Sequence, residues 1–240
     1  MSLSDRRSAI RHLIDPRQEA DARAAYYAFD HPENRTTLVT YLPNTARARG
    51  YVCLSRTGLD LFRPLVTMRL PLTDMNASAE LLYSAIPVGA PIMMSVPASH
   101  LPIVKGLFAI SSETNTTVFA LDRGRYAPVI NVLVTSETGP NGLIRYVIRR
   151  DGETVASASI NWQSRYFAEV GVETRADQRR QGWGRSVVAA LCQHLLDQGI
   201  RPLYVSAAEN RSSIQLAESV GFINTGNRLA FLEASLNPRA

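Results

Sequence analysis

The sequence predicts an α/β protein built on a mixed sheet, with α+β character. Three observations carry this expectation. A strand-like run at 167–174 leads into a basic, glycine-bearing turn and then into an amphipathic helical pattern at 185–198. A second strand-like run at 203–207 leads into another helical stretch that opens near Asn210. Upstream, alternating runs at 144–149 and 154–161 flank Asp151-Gly152, the dipeptide of a two-residue hairpin.

Taken in order, residues 4–29 read as a helix that Pro16 kinks or splits. A turn follows at 31–34. Runs at 36–41 and 50–55, rich in β-branched and aromatic residues, form a hairpin across a loop. Residues 65–70 are a strand ended by Pro71, 77–86 a short helix, 92–96 an apolar strand between prolines, and 99–108 a helix with Pro102 in its first turn. Strands are expected at 116–121 and 129–134, then a loop at 136–142. After the second helix, strands at 222–225 and 228–232 are expected to turn back on each other at Gly226-Asn227.

A chain of 240 residues holds one large or two small domains. No apolar stretch approaches membrane-span length, and the N-terminus lacks the apolar core of a signal peptide. Cys53 and Cys192 lie far apart and read as buried free thiols, which fits a cytoplasmic protein. No cluster of Cys and His has metal-ligand spacing, so no metal is expected. The net charge of +5 comes from scattered arginines without a basic block, which makes nucleic acid an unfavoured partner.

The turn Arg179-Arg180-Gln181-Gly182-Trp183-Gly184 carries the chemistry. Glycine lets backbone approach a ligand closely, and the first N–H groups of a helix point at an anion placed there. Flanking arginines add charge-assisted hydrogen bonds. The turn lacks the Gly-Lys-Ser/Thr of a Walker A loop and the third glycine of a dinucleotide fingerprint. A pyrophosphate is the natural guest. On its own, the hexapeptide reads equally as the basic first turn of a surface helix.

The context adds a second motif, Asn210, Ser213 and Gly221-Phe222. With both in view, the chain from about residue 143 to its end resembles the GNAT superfamily of N-acetyltransferases. Arg179, Gly182 and Gly184 match the family's Gln/Arg-x-x-Gly-x-Gly/Ala signature, and Asn210, Ser213, Gly221 and Phe222 match its second. The resemblance implies a GNAT-like acyl-CoA N-acyltransferase fold with acetyl-CoA as co-substrate. It implies coenzyme contacts from Val172, Glu173, Thr174, Arg179, Arg180, Gln181, Gly182, Trp183, Gly184, Arg185, Asn210 and Ser213. The implied reaction is acetyl transfer to a primary amine, a small molecule or a peptide N-terminus, by direct attack in a ternary complex. A coenzyme A-binding sensor without catalysis is the alternative.

Glu169 and Glu173 are the candidate general bases. Both fall on one side of a regular strand, which also reads as a solvated face. Glu169 stands one residue out of register with the family's glutamate, and a bulge would restore the facing. Many family members carry a tyrosine as thiolate protonator where this chain has Ala217. Tyr204 and Tyr166 lie near by but outside the motif.

The first half repeats the order strand, strand, helix, strand, helix, strand, which suggests a second, degenerate GNAT-like copy in tandem. It has Pro71-Leu72-Thr73-Asp74-Met75-Asn76 where the phosphate turn belongs, with no glycine and no arginine, so such a copy is expected to lack a coenzyme site. The expected division is an N-terminal α/β domain at 1–135 and a GNAT domain at 136–240.

Overall fold

The computed structural model describes residues 1–42, 47–58 and 60–239. The strands are β1 (Thr36–Tyr41), β2 (Gly50–Ser55), β3 (Leu65–Arg69), β4 (Pro91–Pro97), β5 (Phe108–Leu121), β6 (Val134–Thr138), β7 (Ile144–Arg150), β8 (Glu153–Gln163), β9 (Phe167–Thr174), β10 (Arg201–Ala207) and β11 (Phe222–Leu236). The α-helices are α1 (Leu3–Ile10), α2 (Ala22–Ala25), α3 (Met75–Ala85), α4 (Leu101–Leu107), α5 (Trp183–Asp197) and α6 (Arg211–Val220). Two compact units result, one of Met1–Thr116 with Arg228–Ala240 and one of Thr117–Asn227. The boundary expected at 135/136 falls inside the second unit.

In the first unit, α1 opens on a capping box in which Ser2 and Asp5 exchange side-chain and backbone hydrogen bonds. One helix over 4–29 does not form. The chain leaves helical geometry after Ile10, passes through a 3-10 turn at Arg11–Leu13, and resumes in α2, which widens into a π turn at Tyr26–Asp30. Pro16 cannot donate within a helix and disfavours helical geometry at Asp15. Asp21 closes the gap instead, accepting from Asp15 N at 2.9 Å.

β2 lies between β1 and β3 and is antiparallel to both. The loop expected between β1 and β2 falls in part on residues 43–46, outside the described residues. β3 and β4 run parallel and are joined through α3, whose Leu81 and Leu82 are buried among Val66, Met68, Ile92 and Met94. The far side of β4 pairs antiparallel with Leu229–Ser235 of β11.

The parallel pair is short. β3 and β4 are registered only at Leu65↔Met93 and Val66↔Met94. Beyond that point His100 enters from the turn before α4. Its Nε2 accepts from Leu70 N at 3.0 Å, and its Nδ1 meets Ser99 Oγ at 3.1 Å. The ring is 4% exposed, and burial pushes its pKa down to about 4, with Arg69 adding to the effect.

In the second unit, β6 to β9 form an antiparallel meander, β9 and β10 are parallel, and β5 lies beside β10. The crossover between β9 and β10 is α5. Val187, Val188, Leu191, Cys192 and Leu195 recur at helical spacing on its inner face and pack with Ile148, Ala156, Ala158 and Val170. The same order of elements recurs in each unit: β2, β3, α3, β4 in one and β8, β9, α5, β10 in the other. Both cysteines are free and buried, and burial pushes the Cys53 thiol up to about 11.

Two strand expectations are corrected. The strand placed at 129–134 lies instead at Val134–Thr138, across part of the segment expected to be a loop. Its partner β7 is in register with those five residues. Upstream, Asn131 folds the chain locally, its Oδ1 accepting from Leu133 N at 3.0 Å and its carbonyl from Val134 N at 3.0 Å. The strands expected at 222–225 and 228–232 are one strand, β11, with no reversal. Gly226 takes a φ of 79°, and Thr225 Oγ1 donates to Val118 O at 2.8 Å, so the strand bends without turning back.

Gly221 closes α6 at a φ of 111°, and a Cβ there would lie 2.8 Å from backbone atoms of Arg125 and Tyr126. Gly221→Ala therefore costs at least about 1–2 kcal/mol from the left-handed backbone alone, read as a lower denaturant midpoint. His100 supplies a pH dependence. Between its ordinary 6.5 and the folded value of about 4, the unfolded chain takes up a proton that the folded chain refuses. Its contribution is complete above pH 6.5 and declines as pH falls toward 4; urea midpoints across this range should flatten in His100→Asn.

Candidate active site

The second unit contains a cleft of about 730 Å³ where β9 and β10 part. The two strands are registered from Arg201↔Phe167 to Tyr204↔Val170 and no further. β9 continues to Thr174, still paired with β8 on its other edge through Ala156↔Thr174. In an antiparallel pair alternate residues bond to the partner, so the remaining backbone groups of 171–174 face the cleft. Val172 and Thr174 line it. Both are on the α5 side, because a Cβ on Gly184 would meet Thr174 Oγ1 at 3.1 Å and Val172 Cγ2 at 3.9 Å.

The mouth of the cleft is the turn before α5. The helix begins at Trp183, two residues before the expected start. Gly182 is its N-cap at a φ of 79°, and no side chain caps the first turn. Arg180 also holds a positive φ, 61°, which is uncommon for a side chain of its size and marks a turn shaped for a purpose other than local comfort. Arg179 Nε reaches Thr174 O at 3.4 Å, a long contact, and Gln181 accepts from Trp183 Nε1 at 3.1 Å. A Cβ on Gly184 would stand 2.7 Å from Leu216 Cδ1, so glycine there lets α5 approach α6. Arg179, Arg180 and Arg185 line the cleft and form none of the ion pairs found among the described residues. By contrast, Arg175 just before the turn is engaged by Asp177 and Glu153.

The far wall is the start of α6. Asn210 caps it, its Oδ1 accepting from Ser213 N at 3.1 Å and from Ser212 Oγ at 3.0 Å. Ser213 Oγ stands 2.8 Å from the Tyr204 hydroxyl. Ala217, one turn on, is wholly buried in the core of this unit.

Glu169 and Glu173 fall on the opposite side of β9 from Val172 and Thr174. The bulge is present but lies on β8, between Ile160 and Trp162, so both carboxylates keep their common side. They have different surroundings. Glu169 is 7% exposed and accepts from Trp162 Nε1 at 2.8 Å and from Asn161 Nδ2 at 3.0 Å. Glu173 is exposed and lines a separate groove of about 550 Å³ with Arg145, Ser157 and Arg175. Val172, Thr174 and Arg179 border both spaces, so the end of β9 is the partition between them.

Sequence reasoning set aside Tyr204 and missed Leu216 and Gln178, which also line the cleft. The alternation of β10 puts Tyr204 on the face that reaches α6, and that alternation was the available signal. Among the described residues, no group of three or more His, Cys, Asp or Glu side chains could hold a metal ion. No helix among the described residues is long and apolar enough to cross a membrane.

Residues 140–231 match the family model of the GNAT acetyltransferases. No curated protein matches the chain. Solved structures share the fold over nearly the whole length. An acetyltransferase of the GNAT family from Colwellia psychrerythraea has a TM-score of 0.58 at 14% identity, over 97% of each chain. A GCN5-related N-acetyltransferase from Sphaerobacter thermophilus has a TM-score of 0.64 at 12% identity, over 100% of this chain and 95% of its own. A tandem GNAT protein from the clavulanic acid biosynthesis pathway has a TM-score of 0.61 at 12% identity, over 99% and 96%. Residues 140–231 are thus similar to the GNAT acetyltransferases, within a fold like that of a tandem GNAT protein.

The counterpart of this turn in the first unit is built differently. At the start of α3, the Asp74 carboxylate accepts from Ala77 N at 3.0 Å and occupies the end that α5 leaves open. His100 fills the gap beyond β3 and β4. Titration calorimetry with coenzyme A should therefore give one equivalent per chain, not two.

Proposed function

We propose that this protein is an acetyl-CoA-dependent N-acetyltransferase that moves an acetyl group to a primary amine by direct attack in a ternary complex. The uncapped start of α5, set among three arginines that form no ion pair among the described residues and opening onto the parted strands, carries the reading. It fits a diphosphate joined to an extended amide-bearing arm. Arg179, Arg180 and Arg185 with the amides after Gly182 hold the diphosphate. The open edge at Val172–Thr174 pairs with the arm's amides, and a backbone N–H at the inner end of this edge, toward Val170, polarises the thioester carbonyl. Gln181, through Trp183, keeps the turn in shape, and Asn210 and Ser213 form the opposite wall.

The amine approaches through the groove beyond the partition. Glu173 faces it and takes the surplus proton through water. Glu169 lies deeper on the same side, clamped by Trp162 and Asn161. A small-molecule amine and a peptide N-terminus are both suitable acceptors, since an α-amine is partly neutral near pH 7.7–8.0 and needs little help from a base. Ala217 favours one second reading, a coenzyme A sensor that binds without turnover.

Incubation with acetyl-CoA and a panel of amines, following thiol release, separates the two: turnover with at least one amine supports the enzyme, and binding without turnover across the panel supports the sensor. The arginines outweigh the helix end in this account. A charge-assisted hydrogen bond contributes about 1.5–3 kcal/mol, against about 0.3–1 kcal/mol for a charge at a helix terminus. The double variant Arg179→Ala, Arg180→Ala should weaken coenzyme A binding by roughly 10²–10³-fold in calorimetry, with an unchanged circular dichroism spectrum.

A further inference from the structure

Acyl transfer from a thioester expels sulfur. A thiol with a pKa near 8.5 leaves more readily if a proton reaches it as the C–S bond breaks. Ala217 has no proton to give. We propose that Tyr204 delivers that proton, with Ser213 behind it as relay; the inference rests on the acetyl-transfer reading above.

Position is the first argument. Tyr204 is the last residue of β10 in register with β9, paired with Val170, so it stands at the apex where the strands part. An arm that starts at the phosphate turn and follows β9 inward from Thr174 to Val170 runs about 13 Å, at roughly 3.3 Å per residue, and ends at this apex. The second argument is the hydroxyl's setting. The side chain is 3% exposed yet lines the cleft, with its ring held 5.6 Å from that of Phe222 and its hydroxyl 2.8 Å from Ser213 Oγ. Third, among the described residues lining the cleft, Tyr204 is the one titratable group besides the arginines. Burial raises its pKa above the usual 10, so the hydroxyl keeps its proton until a strong acceptor appears beside it.

The step balances. The amine nitrogen bonds to the carbonyl carbon, and the C–S bond breaks with its electron pair going to sulfur. Sulfur takes the Tyr204 Oη proton. The phenolate is reprotonated by Ser213 Oγ, which recovers its proton from water in the cleft. The nitrogen's surplus proton leaves to water beside Glu173. One amine and one thioester become one amide and one thiol, with no change of oxidation state.

The test is Tyr204→Phe, which keeps the ring against Phe222, assayed with an amine that the unchanged protein acetylates. The expected result is a fall in kcat of about 100-fold or more, with unaltered calorimetric affinity for coenzyme A. Acetyl-selenocoenzyme A supplies the discriminating measurement, because a selenolate departs without needing a proton. The variant should match the unchanged protein with the selenoester while remaining slow with the thioester. Undiminished kcat with the thioester, or an equal loss on both esters, overturns the role of Tyr204 while leaving acetyl transfer standing. Coenzyme binding with no turnover of any amine by the unchanged protein overturns the acetyl-transfer reading and this inference together.

Discussion

The parting of two parallel strands governs the second unit. β9 and β10 stay in register only to Val170 and Tyr204, and β9 then runs on with one edge unpaired. An unpaired backbone edge within a fold is costly unless water or a guest satisfies it. The separation also fixes where everything else must stand. α5 begins at the mouth of the gap, α6 forms its far wall, and the end of β9 becomes a partition with the arginines on one side and Glu173 on the other. Gly184 is what lets α5 and α6 come close enough to enclose it.

The first unit makes the same structural move and cancels it. β3 and β4 lose register after Val66, yet the Leu70 N–H there is satisfied by His100, and the Asp74 carboxylate accepts from Ala77 N at the start of α3. One arrangement thus appears twice, once open and once sealed by the protein's own side chains. The difference is a matter of hydrogen-bond supply. Where side chains meet the orphan donors, nothing is left to attract a ligand; where glycine and arginine replace them, the donors remain available.

Much of this architecture was legible in the amino-acid order because local chemistry dictates it. Asp151-Gly152 supplies the positive φ values of a tight hairpin, 51° and 81°, and the apolar spacing of 187, 188, 191, 192 and 195 sets the buried face of α5. Asn210 and Gly221 announced both ends of α6. What was not legible depends on partners distant in sequence. Residues 129–134 have strand propensity, but the register of β7 awards the strand to Val134–Thr138. Gly226-Asn227 has the composition of a reversal, yet the flanks of β11 find different neighbours and the strand runs through. Tyr204 stands outside both motifs, and only the tertiary placement of α6 puts Ser213 against its hydroxyl. Likewise the environments of Glu169 and Glu173 diverge through Trp162 and a bulge on the neighbouring strand.

The first unit takes its closing strand from the end of the chain. Ala230, Leu232, Ala234 and Leu236 are buried with Met94, Val96 and Phe108, although more than a hundred residues of polypeptide separate the two groups. During synthesis more than a hundred further residues must therefore emerge before this unit possesses its final hydrophobic layer. Until the last segment emerges, β4 is an edge with its hydrogen-bonding groups exposed, a template for mispairing that nascent-chain chaperones are suited to shield. Maturation of the unit begun first waits on the end of β11, made after the whole second unit.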